Sequence, residues 1–481
     1  MNKAKSQPGS QAGTEAVIEQ SLYEAHKKIY IRSVTGVFAT WRWALVWFTQ
    51  LLYYGLCWLP WNGRQAVLFD LVERKFYIFG LIFWPQDIFY LAVLLIVSAY
   101  ALFLFTAVGG RLFCGYACPQ TVYSEIFMWI EKMIEGDRNA RIKLDQQAMN
   151  LHKFSRKFAK HLAWLLFALW TGFTFVGYFT PIKTLAGEVM KLALGPWEIF
   201  WLLFYGFATY GNAGYMREQV CKYMCPYARF QSVMFDPDTL IVTYDEGRGE
   251  PRGARPKKLD YKSAGKGDCI DCGICVQVCP TGIDIRQGLQ YECIGCSACI
   301  DGCDTVMDKM GYPRGLIRYS TEHAMQKKWQ RKEILAHLIR PRIMIYGLLL
   351  VAIVGAAGYG IATRTPLKVD VIRDRNSLSR EDESGMVENS FGLKIMNVSE
   401  VDRTYVISIS GMDRISILHQ PSFRIEVPAM KTETVSLEVY APPESGAPGS
   451  NRIYFDVKAV NDERIAVHEK ASFIMPQNAG H

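Results

Sequence analysis

The stretch DCIDCGICVQVCPTGIDIRQGLQYECIGCSACIDGCD, from Asp268 to Asp304, contains eight of the thirteen cysteines in the chain. They form two runs of C-x2-C-x2-C-x3-C, namely Cys269, Cys272, Cys275 and Cys279, then Cys293, Cys296, Cys299 and Cys303. Runs of this spacing hold 4Fe–4S clusters, because two intervening residues let three thiolates face one cubane. A zinc site or a disulfide framework is the alternative, but zinc sites use pairs of C-x2-C rather than triplets followed by a fourth cysteine. The stretch therefore predicts two 4Fe–4S clusters.

The fourth cysteine of each run has a separate role in bacterial two-cluster ferredoxins, where it binds the cluster of the other run. On this pattern the first cluster would be held by Cys269, Cys272, Cys275 and Cys303, and the second by Cys293, Cys296, Cys299 and Cys279. No cysteine lies in the last hundred residues of the chain. This distribution is typical of metal binding rather than of disulfides.

Strongly apolar segments alternate with polar ones, which is typical of a membrane protein with soluble parts. Half of the residues are hydrophobic, yet the mean hydropathy is only +0.04. Five stretches approach the roughly 20 residues that a helix needs to cross a bilayer. They lie at about 39–59, 88–108, 161–180, 197–214 and 343–362. We predict about five transmembrane helices, since five buried globular helices of this kind are a poorer explanation.

The distribution of charge indicates the orientation of these spans. The connections 109–160 and 215–342 are rich in Lys and Arg, whereas 60–87 and 181–196 contain few. Because basic loops stay in the cytoplasm, the N-terminus and the cluster domain are predicted there, and the C-terminal region in the periplasm. The net charge of +8 is explained by these flanking residues, so we expect no nucleic-acid partner. Residues 1–20 are polar and predicted to be disordered, without a signal peptide.

The last part of the chain has the alternation of β-strands. Apolar and polar residues alternate over 403–410, 423–427, 432–439 and 452–460, with Pro- and Gly-rich turns between them. Short strands at this spacing predict a β-sandwich of roughly a hundred residues, which would lack the usual immunoglobulin disulfide.

The predicted fold class is therefore multidomain: an α-helical membrane bundle, an inserted α+β ferredoxin domain and a C-terminal all-β immunoglobulin-like sandwich. The predicted boundaries are an N-terminal cytoplasmic segment 1–38, helices one to four within 39–245, a basic linker 246–267 lying near lipid headgroups, the ferredoxin domain 268–310, a cytoplasmic connector 311–340, the fifth helix 341–362 and the sandwich 363–481.

A second cysteine motif, C-x3-C-P, occurs twice, at 114–119 and at 221–226. Each copy follows a predicted span, and each has an Arg shortly before it. If the motif is helical, its two thiols share one face, and the proline breaks the helix or starts a new one. Free backbone N–H groups and the Arg would then lower the thiol pKa values. Four soft thiolates favour Cu(I), zinc or a further iron–sulfur centre, and packing of inert cysteines is the structural alternative.

Other electron carriers have little support in the sequence. The spans contain no facing histidines for a b-type haem, and the chain has neither a phosphate-binding G-x-x-x-x-G-K-[ST] loop nor a convincing G-x-G-x-x-G. Cys57 stands alone in an apolar span, and we interpret it as a packing residue.

Taken together, the two C-x3-C-P motifs, the eight-cysteine domain and the C-terminal sandwich resemble the FixG/CcoG (RdxA) family of cytochrome c oxidase accessory proteins, which are membrane-bound polyferredoxins. The resemblance covers nearly the whole chain, although Cys303 is followed by Asp304 where a second Cys-Pro often stands. It implies assembly of cbb3-type cytochrome oxidase at the bacterial inner membrane, with reduction of Cu(II) to Cu(I) as the activity. By this resemblance Cys114, Cys118, Cys221 and Cys225 would form the catalytic copper site.

The resemblance also implies partners: oxidase subunits or copper chaperones, a cytosolic electron donor, and membrane lipid. A homodimer is left open. Two other functions remain: an electron conduit between a quinol or cytosolic donor and a membrane partner, and a non-enzymatic assembly factor. The C-x3-C-P thiols could instead hold a third iron–sulfur centre.

Overall fold

The computed structural model describes residues 28–257, 265–373, 379–382 and 384–476. The disorder predicted for residues 1–20 lies outside these ranges. The chain divides into two compact units, one made of Met1–Leu68 and Ala101–Met344, the other of Phe69–Tyr100 and Ile345–His481.

The first unit is mainly helical. Its helices are Val37–Leu56, the end of Ile88–Gly109, Leu112–Tyr116, Pro119–Glu135, Arg138–Gln146, Leu151–Val176, Ile182–Lys191, Pro196–Thr209, Arg217–Gln219, Pro226–Met234, Glu246–Gly249, Ile274–Gln277, Ala298–Met310, Glu322–Lys327 and Arg331–Leu338. Two π-helical turns, Tyr210–Met216 and Val220–Met224, and a 3-10 turn, Ile285–Gln287, complete them. Two antiparallel strand pairs join Pro60–Trp61 to Arg64–Gln65 and Ile241–Tyr244 to Ile317–Ser320.

Fewer helices than predicted are suited to crossing a membrane. Among the described residues, three are long and apolar enough, Pro85–Gly109, Leu151–Val176 and Pro341–Ala362. A fourth is counted if Ile182–Lys191 and Pro196–Met224, bent by 98°, form one broken span. The predicted first span forms a helix, Val37–Leu56, but its Trp and Tyr residues and Arg42 lower its hydropathy. By this measure three or four of the five predicted spans are found among the described residues, and the number of membrane crossings stays a prediction.

The cluster region has a core that extends beyond the cysteine runs. The strands Ile241–Tyr244 and Ile317–Ser320 pair antiparallel. Their side chains Val242, Tyr244 and Ile317 are buried together with Cys269, Cys303 and Met307. Segments on both sides of 268–310 in the chain are therefore part of the same folded body.

The described part of the basic linker is also packed, which the sequence did not predict. Arg248 pairs with Asp268 at 2.5 Å between Nε and Oδ2. A Cβ atom on Gly267 would lie 2.4 Å from the backbone of Gly249, so these two backbones are in close contact. Residues 246–257 therefore lie against the cluster region, and 258–264 fall outside the described ranges.

The second unit begins with a small antiparallel sheet and ends with the sandwich. The small sheet contains Val67–Asp70, Lys75–Ile78 and Leu81–Phe83, and a 3-10 turn, Pro85–Asp87, leads into the helix Ile88–Gly109. The helix Pro341–Ala362 precedes the sandwich. Asp87 is buried and pairs with Lys368 and, at 3.5 Å, with Arg364, which fixes the start of the first sandwich strand.

The sandwich has two antiparallel sheets with interleaved strand order. One contains Ser416–Ile417, Thr432–Ala441, Val387–Asn397 and Leu367–Arg373, with Arg380–Glu381 on its edge; the other contains Ser422–Val427, Arg403–Ser410, Gly449–Ala459 and Asp462–Met475. Inward side chains such as Phe391, Tyr405, Phe455 and Phe473 are fully buried between the sheets. The four predicted strands are confirmed, and five further strands were not predicted.

Candidate functional site

The eight cysteines of the cluster region surround two neighbouring small cavities. One is lined by Cys269, Cys272, Cys275 and Cys303, and the other by Cys279, Cys293, Cys296 and Cys299, with Cys275 between them. These sets coincide with the two ligand sets predicted from the crossed ferredoxin pattern. Four thiols around a cavity of mainly apolar side chains fit the donor set of a 4Fe–4S cluster. The assignment of each cysteine as a ligand stays a prediction.

The crossed arrangement has a simple helical cause. Cys299 and Cys303 lie four residues apart on the helix Ala298–Met310, and Cys275 and Cys279 have the same spacing around the turn Ile274–Gln277. A step of four residues places the two side chains one above the other, so each short helix reaches from one cavity to the next. Burial, together with the neighbouring thiols, raises the pKa of Cys303 to about 12. Iron would have to displace the protons of these thiols to bind.

The two C-x3-C-P motifs have one common feature and one difference. In both, the second cysteine precedes a new helix whose first residue is the proline, Pro119–Glu135 in one and Pro226–Met234 in the other. Of the two predicted roles of the proline, the start of a new helix is thus confirmed. However, Cys114 lies on an α-helical turn, whereas Cys221 lies on the π-helical turn Val220–Met224.

The structure brings these four thiols together, and we call Cys114, Cys118, Cys221 and Cys225 the thiol tetrad. Cys221 packs on the hydrophobic cluster that contains Cys114, and the charges of the other three thiols add to the effect of burial in raising the pKa of Cys114. The Cys114 thiol donates to Oε1 of Gln231 at 3.1 Å. Among the described residues, no three His, Cys, Asp or Glu side chains lie close enough to bind a single metal ion at once.

The predicted lowering of the thiol pKa values is wrong for Cys114, Cys118 and Cys221, whose pKa values are raised by burial. Burial raises the pKa of Cys114 to about 12, and the charge of Arg111 only partly opposes this effect. Burial also raises the pKa of Cys118, although its sulfur accepts hydrogen bonds from the backbone N–H groups of Gln120 and Thr121. The N–H groups and the Arg are present as predicted, but loss of hydration is the larger effect.

The first motif packs directly on the loop of the second predicted cluster. A Cβ atom on Gly115 would lie 2.8 Å from the backbone N of Cys296 and from the carbonyl O of Ile294. Arg111 donates to the carbonyl groups of Tyr291 and, at 3.4 Å, of Cys293. The thiol tetrad and the second cluster cavity are therefore separated by little more than one layer of backbone.

The comparisons with known proteins agree with this arrangement. Residues 216–322 match the family model of a 4Fe-4S dicluster domain, and 91–135 match that of a 4Fe-4S binding domain. Residues 357–476 match the IG-like fold at the C-terminal of FixG. Each ferredoxin-type match includes one C-x3-C-P motif. Both halves of the thiol tetrad therefore lie in segments that match iron–sulfur domains.

Three relatives cover most of the chain. The nitrogen fixation protein FixG of Rhizobium meliloti (strain 1021) is 37% identical over 428 residues, 82% of each chain. Protein RdxB of Cereibacter sphaeroides is 38% identical over 448 residues, covering 91% of this chain and 93% of RdxB. Protein RdxA of the same organism is 37% identical over 455 residues, covering 91% and 95%. The chain belongs to the FixG/RdxA family. It is a membrane iron–sulfur redox protein.

In this FixG-family chain the helix Val37–Leu56 is attached to the cluster region by two contacts that the sequence analysis missed. Asp301 accepts hydrogen bonds from the backbone N–H groups of Phe38 at 3.2 Å and Ala39 at 2.7 Å. A carboxylate at this position also interacts favourably with the helix dipole. Arg42 is buried and donates to the carbonyl O of Cys296 at 2.9 Å. A charged residue within an apolar segment was the available signal for Arg42.

A buried group of charges holds the second C-x3-C-P motif. Arg217 has a left-handed backbone with φ of 32°, and its guanidinium is 2.9 Å from the buried carboxylate of Glu131. The side chain of Gln120 donates to the carbonyl O of Arg217 at 3.1 Å. Glu131 also pairs with Arg141 at 2.9 Å. These contacts fix the turn from which Cys221 extends.

Proposed function

We propose that this FixG-family protein reduces Cu(II) to Cu(I) at the thiol tetrad and supports the assembly of cbb3-type cytochrome oxidase. The observation that carries the proposal is the contact of Gly115 with Cys296, which places a four-thiol site against the loop of the second cluster cavity. The copper substrate and the oxidase are implied by the family resemblance described above. Bound 4Fe–4S clusters would supply one electron at a time.

The residues of the tetrad suit the product of this reaction. Each Cu(II) takes up one electron and becomes Cu(I), a soft ion that prefers thiolate ligands. Cys114 is buried, whereas Cys118, Cys221 and Cys225 are partly exposed, so the site has one closed side and one open side. Arg111 lies near Cys114 and favours thiolate over thiol, which partly offsets the effect of burial.

The electron path proposed here uses contacts within the first unit. The helix Ala298–Met310 carries one cysteine of each cluster cavity, and the loop at Cys296 then meets Gly115 of the first motif. Since the cytoplasm is reducing, we propose that the cluster region faces it, as the basic loops indicate. The sandwich would then lie in the periplasm and contact oxidase subunits or copper chaperones.

The proposal is tested by replacing Cys114, Cys118, Cys221 and Cys225 together by Ser in the full-length protein. After removal of excess dithionite, which itself reduces Cu(II), the reduced variant should no longer produce Cu(I), measured with a cuprous chelator, while the visible absorbance of both clusters remains. Cys57→Ser is the matched control. Cys57 is buried beside Val176 and Leu185, apart from the tetrad, and should tolerate this near-isosteric change without loss of activity.

Undiminished Cu(I) formation by the fourfold variant would overturn the proposal. Iron analysis then addresses the third iron–sulfur centre. Two 4Fe–4S clusters require about eight iron atoms per chain, whereas a further cluster at the tetrad would raise the content to about twelve. An iron content of about twelve atoms per chain that falls to about eight in the fourfold variant would show that the tetrad holds a third cluster instead of copper.

A further inference from the structure

A cavity of about 760 Å³ lies in the first unit between the helices Val37–Leu56 and Pro119–Glu135 and the second cluster loop. Cavities of roughly 300–1,000 Å³ are typical of sites for small organic molecules. A copper ion needs only a small fraction of this space. The neighbourhood of the redox centres is therefore shaped for a larger ligand.

One end of the cavity is built from large apolar side chains. It is lined by Trp43, Trp47, Met128 and Trp129, with the rings of Trp43 and Trp129 in edge contact at a centroid distance of 6.2 Å. Trp47 is 62% exposed and Trp129 47% exposed, so this end opens to the surface. Phe48 and Leu51 of the same helix are also exposed apolar residues. A flat ring with a hydrocarbon tail fits such an entrance.

The inner end of the cavity is polar and includes two cysteines. Arg42 and Glu125 line it and approach each other to 3.8 Å, and Ser124 lies beside them. Cys296 and Cys221 also contribute to the wall. A ligand that fills the cavity therefore touches both the second cluster loop and the thiol tetrad.

We propose that this cavity binds a membrane hydroquinone, which donates the electrons for copper reduction. The indole side chains hold the aromatic ring, the open apolar end admits the isoprenoid tail, and Arg42 and Glu125 hydrogen-bond the hydroxyl groups. This inference rests on the proposed function for its electron acceptor. Both hydroquinone O–H bonds break, two electrons reduce two Cu(II) ions, and two protons leave through Glu125 to water at the entrance. The products are quinone and two Cu(I).

The binding test uses the full-length protein in lipid nanodiscs and an azido-naphthoquinone photolabel. Labelled peptides should come from 39–47 or 120–129, and unlabelled 2,3-dimethyl-1,4-naphthoquinone should compete. Ala44 is exposed at the entrance, so Ala44→Trp can block the cavity without filling the core. This variant should abolish labelling. Labelling outside the cavity, or labelling unchanged by Ala44→Trp, would overturn the inference.

The electron-transfer test compares two tryptophans of the same helix. Trp41 and Trp47 are both 62% exposed, but only Trp47 lines the cavity. Trp47→Ala should raise the concentration of reduced naphthoquinone needed for half-maximal cluster bleaching by about tenfold, equivalent to about 1.4 kcal/mol. Trp41→Ala should leave it unchanged. Equal effects of the two substitutions would refute a specific site.

Separate measurements distinguish failure of this inference from failure of the proposed function. Dithionite reduces the clusters without the natural donor. If dithionite-reduced protein converts Cu(II) normally but naphthoquinol does not reduce the protein, the proposed function stands and the quinol site is rejected. Bleaching by a reduced nicotinamide dinucleotide, with no response to naphthoquinol, would also reject it. Naphthoquinol-driven bleaching without Cu(I) formation would keep the donor site and reject copper as the acceptor.

Discussion

Replacement of Gly115 by Ala tests the contact on which the proposed electron path depends. The added Cβ would meet Cys296 N and Ile294 O at 2.8 Å and Cys296 Cα at 2.9 Å. Ordinary contact begins near 3.4 Å, so the first motif and the cluster loop would have to separate by about 0.6 Å (3.4 minus 2.8). Because the opposing atoms are backbone, they cannot move aside as a flexible side chain would. Overpacking of this kind costs about 1–3 kcal/mol.

The expected result is a selective change at the second cluster. Gly115→Ala should retain full iron content and an unaltered EPR signal from the first cluster, since the nearest atoms to the added Cβ belong to the loop at 294–296. The signal of the second cluster should shift, and stopped-flow reoxidation by Cu(II) should slow, because the cluster loop and the first motif are moved apart. The measurement starts from dithionite-reduced protein, which removes any dependence on the natural donor.

Gly187→Ala is the matched control. Gly187 lies on the helix Ile182–Lys191, and an added Cβ would meet nothing within 4 Å. Alanine is favoured over glycine in helices by about 1 kcal/mol, so this variant should be at least as stable as the parent. It should show no kinetic effect. If Gly115→Ala reoxidised as fast as Gly187→Ala with both EPR signals intact, the contact would not be the path of the electrons.

Two further substitutions test the buried charges. Glu131→Gln should lower the free energy of unfolding by about 3–5 kcal/mol at neutral pH, because Arg141 and Arg217 lose a carboxylate 2.9 Å away. Burial raises the pKa of Glu131, but the neighbouring cations have the larger effect, so its pKa in the folded protein lies below the ordinary value of 4.5. The stabilisation by the ion pairs is therefore complete above pH 4.5 and is lost as the pH falls through the folded-state pKa. Denaturant titrations should therefore show the two proteins converging in acid, and a constant difference would contradict the ion pairing. Asp87→Asn should destabilise the second unit by a similar amount, since it leaves Lys368 without its buried partner; unchanged resistance of the sandwich to proteolysis would argue against this role.

The cysteine spacing was sufficient to predict the local geometry of the site, because short-range constraints determine it. Four-residue steps place Cys275 and Cys279, and Cys299 and Cys303, in neighbouring cavities. The prolines likewise begin helices where the sequence indicated. These features depend on residues a few positions apart, whose relation is the same in most folds.

Long-range contacts could not be predicted in this way. Asp301 caps a helix about 260 residues earlier in the chain, and Arg42 reaches Cys296 across a similar distance. Asp301 could equally have been a solvated surface charge by its pattern alone, and the position of Arg42 in an apolar segment does not indicate which residue it contacts. The sign of the Cys114 pKa shift was missed for the same reason, since it depends on burial by segments distant in the sequence.

One sandwich strand that the sequence did not predict has a more local explanation. The strand Val387–Asn397 includes Asn389, which is buried and exchanges hydrogen bonds of 3.0 and 2.9 Å with the backbone of Ile474. A polar residue on the inward face interrupts the expected alternation, although its hydrogen bonds are satisfied. Gly392 weakens the strand pattern further. Alternation of apolar and polar residues identifies strands whose inward face is entirely apolar, and Val387–Asn397 is not such a strand.

The unequal conformations of the two C-x3-C-P motifs indicate how a tetrad could close on an ion. Within the described residues no three candidate ligands lie at metal-binding separation, so an ion bound at the tetrad as proposed would require at least one motif to move. The first motif is held by Gly115 against Cys296 and by Gln231 at the Cys114 thiol. The second follows a strained Arg217 and lies on a π-helical turn, a conformation often found at functional sites. Movement of Cys221 and Cys225 toward a fixed Cys114 would therefore close the site without disturbing the contact with the second cluster loop.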